Sequence, residues 1–277
     1  MMLLGRALLG ETSCHGEIED DRFHVVAGDL FTGYTRTGRS MAMDDVALGT
    51  PIDDVRFVNV MGGFVEPGTT RASDRVPWWL PKATRYPSGD GAEVRRPAGL
   101  TGAMVMESEL SVVVGRPLRN ASPAEAHDAI FGWSVFNDWT ASEFGGFPAV
   151  GLWAAGKSVD GFTSWGPWIR RDLSEERVME GLAITGFING EQSQAGNTEY
   201  FAFTPSEMLS HISGYISLFP GDVVALGTPY PAPEVSVGDH VVCEVEEVGV
   251  LNNFIVADSD EPRSLLPRRE PSTATVR

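Results

Sequence analysis

Glu107 and Glu109 stand two residues apart in the run Ala103–Val114, which is otherwise apolar except for Ser108 and Ser111. Side chains two apart in a strand point to the same face, so the two carboxylates lie side by side. Buried and unpaired, they would repel each other and lose their hydration. A divalent cation removes that conflict, and so does a solvated strand face. A third carboxylate, Asp138, follows Gly132-Trp133-Ser134-Val135-Phe136-Asn137, where capping of an element is the alternative use of an Asp. Three carboxylates with no candidate His or Cys form an all-oxygen donor set, which suits Mg²⁺, Mn²⁺ or Ca²⁺ over zinc.

The elements that must position these residues read mainly as strands. Gly 31 and Pro 18 are spread through 277 residues, which predicts many turns and short strands. No repeat of solenoid length occurs. Ala103–Val114, Leu182–Ile188, Val223–Leu226 and His240–Val250 read as strands, and Asn189-Gly190 predicts a two-residue hairpin turn. Ser122-Pro123-Ala124-Glu125 and Thr204-Pro205-Ser206-Glu207 each combine an N-cap, a first-turn proline and a capping-box glutamate, so each predicts a helix. Met208, Ile212, Tyr215 and Phe219 then recur at helical spacing, predicting one inward face. Residues 1–54 read as a small N-terminal β lobe and 55–257 as the main domain. Within it, the stretch 66–99 carries Pro67, Pro77, Pro81, Pro87 and Pro97 and reads as loop-rich. Residues 258–277 are polar and predict a disordered tail. The class expected is α+β, dominated by β.

Composition excludes several roles. Lys plus Arg is 21 against 38 for Asp plus Glu, a net charge of −17, which repels phosphate backbones and anionic lipid. No apolar run approaches the ~18–20 residues of a membrane span. Met1–Gly10 is apolar but lacks the basic opening of a signal peptide. Cys14 and Cys243 supply neither a disulfide framework nor a zinc pattern. A soluble cytoplasmic protein without nucleic-acid or membrane partners is expected.

Met106-Glu107-Ser108-Glu109-Leu110-Ser111-Val112-Val113-Val114-Gly115 resembles the Glu-x-Glu strand of the fumarylacetoacetate hydrolase family. Further segments are similar to that family's and keep its order. They are Phe136 through Ala141, Gly156-Lys157-Ser158-Val159-Asp160, Asn189-Gly190-Glu191, Gln194 through Thr198, Phe203 through Glu207, Pro220 through Pro229 and Val237-Gly238-Asp239, with Val245 through Leu251 last. The resemblance spans roughly residues 100–253, and the opening is similar to the family's small N-terminal lobe. It implies a mixed β-roll, a divalent metal held by Glu107, Glu109 and Asp138, and an active-site lysine at Lys157. It further implies a substrate hydrogen bond from Thr228, a pocket-closing loop containing Gln194, Asn197 and Thr198, and a homodimer.

Departures from the family pattern shape the functional expectation. The family's Asn-Tyr-x-x-His segment is replaced by Phe57-Val58-Asn59-Val60-Met61-Gly62-Gly63-Phe64-Val65-Glu66, and no histidine lies between His24 and His127. The base that activates water in hydrolytic members is therefore absent. His127 and His211 lie on predicted helices and read as packing residues; His240 begins a strand, and His15 is the one that could reach a site from the small lobe. The family's Ser-Ala-Arg-Asp is replaced by Thr140-Ala141-Ser142-Glu143, which removes the arginine that grips anionic substrate. Trp139, Phe144, Phe147 and Trp153 flank that place, and Phe144-Gly145-Gly146-Phe147 reads as a mobile apolar loop. Trp139 and Phe144 are accordingly expected to touch substrate. The expectation is a metal-dependent enzyme acting on a bulky, partly apolar 1,3-dicarbonyl or 2-oxo-acid-like small molecule through a stabilised enolate. Lyase, isomerase or decarboxylase outcomes are expected over C–C hydrolysis. The alternatives are a C–C hydrolase of the same family, a cyclase or tailoring enzyme for a bulky natural-product intermediate, and a catalytically silent binding protein.

Overall fold

The computed structural model describes residues 1–53, 55–65, 76–144 and 152–258. The N-terminal strands β1 (Leu3–Leu9), β2 (Thr12–Glu19), β3 (Arg22–Asp29) and β4 (Gly33–Ala42) form an antiparallel meander, and β5 (Ala47–Leu48) returns to β1. Next come β6 (Phe57–Met61), β7 (Trp78–Lys82), β8 (Ala92–Arg96), β9 (Met104–Val105) and β10 (Ser108–Val114). Helix α1 (Pro123–His127) leads to β11 (Ile130–Asn137), β12 (Thr140–Ala141), α2 (Trp153–Lys157) and β13 (Ser164–Arg170). Then α3 (Glu175–Glu180), β14 (Ala183–Ile188), β15 (Glu191–Asn197) and α4 (Pro205–Ser213) precede β16 (Val223–Ala225), β17 (Glu234–Val235), β18 (His240–Val245) and β19 (Gly249–Ala257).

The large sheet runs β4-β3-β2-β1-β13-β11-β10-β16-β6-β7, with β5 beside β1. A second sheet runs β15-β14-β18-β19-β8, and β12-β9-β17 form a third. Two pairings, β16 with β6 and β19 with β8, are parallel, so the sheets are mixed. The expected α+β, β-dominated class and mixed β-roll are what the chain adopts. The N-terminal meander has its own apolar cluster around Phe23 and Ile18, yet it continues the large sheet through Leu3↔Arg170 and Leu4↔Ile169. No helix among the described residues is long and apolar enough to cross a membrane.

Local chemistry accounts for the elements that frame the site. Strand β10 is buried throughout. Leu110, Val112 and Val114 enter the main core on one face, while Val113 joins Phe57, Phe136 and Trp165 on the other. Each such side chain removed from water contributes roughly 1.5–3 kcal/mol. Asn189 (φ 53°) and Gly190 (φ 84°) make the β14–β15 turn, the two left-handed residues a tight hairpin requires. Both capping boxes form, at Ser122/Glu125 and Thr204/Glu207.

One expectation is corrected and one is refined. Helix α4 stops at Ser213: Met208 and Ile212 are buried, but Tyr215 and Phe219 are 67% and 55% exposed. The helical spacing of the last two is therefore coincidental, since Gly214 already caps the helix. The proline-rich 66–99 stretch contributes β7 and β8. Pro81 fits within β7 because that strand is outermost, where a missing N–H breaks no ladder. Apart from Asp258, the C-terminal tail lies outside the described residues, as do Gly145, Gly146 and Phe147.

Candidate metal and active site

The carboxylates meet where β10 and β11 part. Ser108 pairs with Asn137 and Glu109 with Phe136. One step beyond, the Glu107 N–H donates to Asn137 Oδ1 and the Asp138 N–H donates to the Glu107 carbonyl, each at 3.0 Å. This clasp brings Glu107, Glu109 and Asp138 together, with one oxygen from each inside a 4.8 Å cluster. All three are buried. Gly227 supplies the clamp on Glu109, its N–H donating to Oε2 at 2.8 Å. Gly63 lets that backbone come close, because a Cβ there would meet the Leu226 carbonyl oxygen at 2.0 Å.

Lys157 ends α2 and is fully buried. Its Nζ donates to Glu107 Oε2 at 2.7 Å, Asp138 Oδ2 at 2.5 Å and Thr140 Oγ1 at 2.9 Å. Those are all the protons an ammonium has. Gly156 permits this approach, since a Cβ there would sit 2.7 Å from the Ala141 carbonyl. Sequence reasoning missed a second lysine. Lys82, at the end of β7, is buried with its Nζ on Asp138 Oδ1 and the Phe162 carbonyl, 5.7 Å from the Phe136 ring centre.

The charges sort by their neighbours. Burial alone would lower the Lys157 pKa, but Asp138, Glu107 and Glu109 outweigh it and hold it above the ordinary value. Burial would raise Asp138, yet Lys157 and Lys82 keep it low. Burial lowers Lys82 despite the opposing charge of Asp138. Burial lifts Glu107, with Lys157 opposing. Glu109 is pushed well above the carboxylate range by burial and then by Asp138 and Glu107. Neither lysine bonds it. Three carboxylates against two ammoniums leave one negative charge in excess, with Glu109 lacking a lysine partner, and a bound cation would supply the missing positive charge there. The donors are all oxygen, so Mg²⁺, Mn²⁺ or Ca²⁺ fits the cluster.

The cluster opens through Glu107 onto a cavity of about 820 Å³, with Glu109 and Asp138 behind the wall. Glu107, Thr140, Ser142 and Thr228 line its polar part, and Phe64, Val105, Trp153, Tyr200, Pro229 and Tyr230 line the remainder. No Arg, Lys or His lines it among the described residues. Thr228, the residue expected to hydrogen-bond substrate, lines the cavity. Gln194 does not line the wall: its Oε1 accepts the Ser108 N–H at 2.9 Å and its Nε2 donates to Thr228, Pro229 and Pro231. Asn197 caps the short turn Thr198–Tyr200 through its Oδ1, away from the wall. Phe144 packs against the core. Trp139 is fully buried with its indole N–H on Ser164 Oγ at 2.8 Å, so it reaches no cavity. The cause is alternation: Asp138 faces the site, Trp139 faces the core and Thr140 returns to the site. Trp153, Phe64 and Tyr200 supply the aromatic wall that Trp139 and Phe144 were expected to form. His15 lies on β2 and does not line the cavity.

Residues 62–256 match the family described as fumarylacetoacetate (FAA) hydrolase C-terminal, and residues 2–51 match the family described as Rv2993c-like, N-terminal. The chain belongs to the fumarylacetoacetate hydrolase family. The chain is 37% identical over 158 residues to the 4-hydroxyphenylacetate degradation bifunctional isomerase/decarboxylase of Salmonella dublin, covering 56% of this chain and 36% of that enzyme. Protein Rv2993c of Mycobacterium tuberculosis is 29% identical over 245 residues, covering 87% and 90% of the two chains. The crystal structure of 2-hydroxyhepta-2,4-diene-1,7-dioate isomerase from Mycobacterium marinum superposes with a TM-score of 0.83 at 27% identity, over 94% of this chain and 100% of that one. The chain spans 36% to 60% of the length of the first curated relatives it matches. Membership of the fumarylacetoacetate hydrolase family thus agrees with the β-roll.

Proposed function

We propose that this chain is a divalent-metal-dependent enzyme that moves protons on an enolisable 1,3-dicarbonyl or 2-oxo acid carrying a large apolar group. The outcome is isomerisation, tautomerisation or decarboxylation. The observation carrying this reading is the buried Glu107–Glu109–Asp138 cluster, whose Glu107 lines a cavity of about 820 Å³ with no histidine among its described lining residues. A divalent cation held by those three residues would supply Lewis-acid polarisation to a chelating pair of substrate oxygens.

The chain's own groups then divide the work. Lys157 spends all three N–H donors on Glu107, Asp138 and Thr140, so it supplies fixed positive charge where negative charge builds up. Lys82 holds the second Asp138 oxygen. Gln194 ties the Thr228–Pro231 turn to β10, which fixes Thr228 at the wall. With no arginine on the described wall, a second substrate carboxylate has no bidentate partner there. Burying ~100 Å² of apolar substrate against Trp153, Phe64 and Tyr200 would contribute about 2.5 kcal/mol. Assembly as a homodimer is part of this proposal, read by sedimentation equilibrium.

The test is a panel of enolisable compounds with Mg²⁺- or Mn²⁺-loaded protein. Oxaloacetate represents short dianions; phenylpyruvate and benzoylpyruvate represent bulky monoanions. Higher kcat/KM on the bulky compounds supports the reading. Efficient turnover of oxaloacetate with the aromatic compounds ignored overturns it.

A further inference from the structure

An apolar wall selects a substrate only if it meets the apolar group at the right distance from the reacting carbons. Two elements of this cavity measure that distance. Helix α2 begins at Trp153 and ends at Lys157, so the two side chains stand on one helix face, about 6 Å apart along the axis. Lys157 marks the reacting end. Its Nζ lies 2.7 Å from Glu107 Oε2 and 2.9 Å from Thr140 Oγ1, and both of those residues line the cavity. Trp153 lines the same cavity.

The strand packed against α2 gives the same measure. Thr140 pairs with Val105, and Ser142 extends that ladder by donating its N–H to the Ala103 carbonyl at 2.9 Å. Thr140 and Ser142 both line the cavity, roughly 6.6 Å apart along the strand. The helix is locked in register with this strand. A Cβ at Gly156 would stand 2.7 Å from the Ala141 carbonyl oxygen, and the Leu152 N–H donates to the Phe144 carbonyl at 3.0 Å. Passing from Thr140 to Phe144 on one element therefore passes from Lys157 to Leu152 on the other. The indole of Trp153 stands one helical turn outward from the carboxylate cluster.

This tryptophan also differs from those of the core. The indole N–H groups of Trp133, Trp139 and Trp168 donate to Leu173 O, Ser164 Oγ and Val248 O. Trp153 is 39% exposed, and among the described residues it makes no hydrogen bond through its indole and no ring pair. Its ring face is free for a ligand in the cavity.

We propose that Trp153 is a specificity-determining residue that stacks on an aromatic ring joined to the enolisable carbon directly or through one further carbon. The substrate class is then the aryl-2-oxo acids and aroylpyruvates. This rests on the functional reading above. A ring held that close comes to the level of the indole, whereas a ring on a longer chain passes it toward the rim, where Tyr230 is 94% exposed.

The experiment uses the full-length, Mg²⁺-loaded protein and follows exchange of the substrate C3 protons with D₂O by proton NMR. Phenylpyruvate is compared with cyclohexylpyruvate, which has a saturated ring of similar size, and with 6-phenyl-2-oxohexanoate, whose ring is three carbons further out. The expected kcat/KM for phenylpyruvate exceeds that for cyclohexylpyruvate by about three- to tenfold, the contribution of an aromatic pair beyond area burial. It exceeds that for the long-chain acid by at least as much. Trp153→Leu brings the phenyl-to-cyclohexyl ratio to about one, and Trp153→Phe restores part of it. Thermal melting checks that both variants fold. A ratio near one in the natural protein, a ratio that survives Trp153→Leu, or equal exchange of the long-chain acid overturns the assignment and leaves the functional reading standing. No exchange of any of the three compounds above the rate with Mg²⁺ alone overturns the functional reading and the assignment with it.

Discussion

Lys157→Met keeps side-chain length and removes the charge from the centre of the cluster. The side chain is fully buried and donates to Glu107, Asp138 and Thr140. Hydrogen bonds to charged groups contribute about 1.5–3 kcal/mol each, so a simple sum would be large. Two features reduce it. Lys82 still holds Asp138, and Glu107 retains 9% of its surface and can take a proton. The cost of removing one partner from a buried pair, about 3–5 kcal/mol, is then the working figure. At roughly 2–4 °C per kcal/mol for a chain of this size, Tm falls by about 6–20 °C. Differential scanning calorimetry at pH 7.5 in EDTA reads this without interference from metal. A fall of less than about 2 °C would show that the ammonium is not holding the carboxylates and would refute the charge argument.

The remaining predictions address the frame of the site. Gly63→Ala places a Cβ 2.0 Å from the Leu226 carbonyl, so the variant loses about 1–3 kcal/mol in urea unfolding and weakens metal binding through the displaced Gly227 clamp on Glu109. His127 Nδ1–H donates to Glu175 Oε2 at 2.6 Å, and that bond raises its pKa above 6.5. Its stabilising contribution is therefore full below pH 6.5 and lost as pH rises through the higher folded value. Because the side chain is 42% exposed, His127→Gln should cost only about 0.5 kcal/mol at pH 5.5 and nothing by pH 9, read by urea unfolding. Burial pushes the Cys243 thiol up to about 12, so native protein at pH 8 should react with a disulfide reagent at Cys14 only, with Cys243 reacting on denaturation.

How much of this was legible in the amino-acid order depends on how local the signal is. Glu107 and Glu109 announce themselves because two carboxylates in an apolar strand need a reason, and the structure gathers both with Asp138. The capping boxes and Asn189-Gly190 are complete within four residues, so they read correctly. Lys82 was illegible. Its burial follows from pairing opposite Phe57, and nothing near Pro81 distinguishes it from a surface lysine. Thr140 and Trp139 were legible in principle. Once Asp138 is assigned to the site, alternation sends Trp139 inward and Thr140 back, a step that aromatic clustering obscured. Tyr200 reaches the wall through the long-range contact between the segment at Phe64 and the turn after β15, which no local pattern encodes.

The account stands on the Glu107–Glu109–Asp138 cluster binding a divalent cation. Titration of metal-free protein with Mn²⁺, following the electron paramagnetic resonance signal of the free aqueous ion, measures this without any substrate. The prediction is one Mn²⁺ bound per chain, with Glu109→Gln weakening Kd at least tenfold, about 1.4 kcal/mol, while the fold is retained. Absence of stoichiometric binding, or binding that Glu107→Gln, Glu109→Gln and Asp138→Asn all leave unchanged, would contradict it.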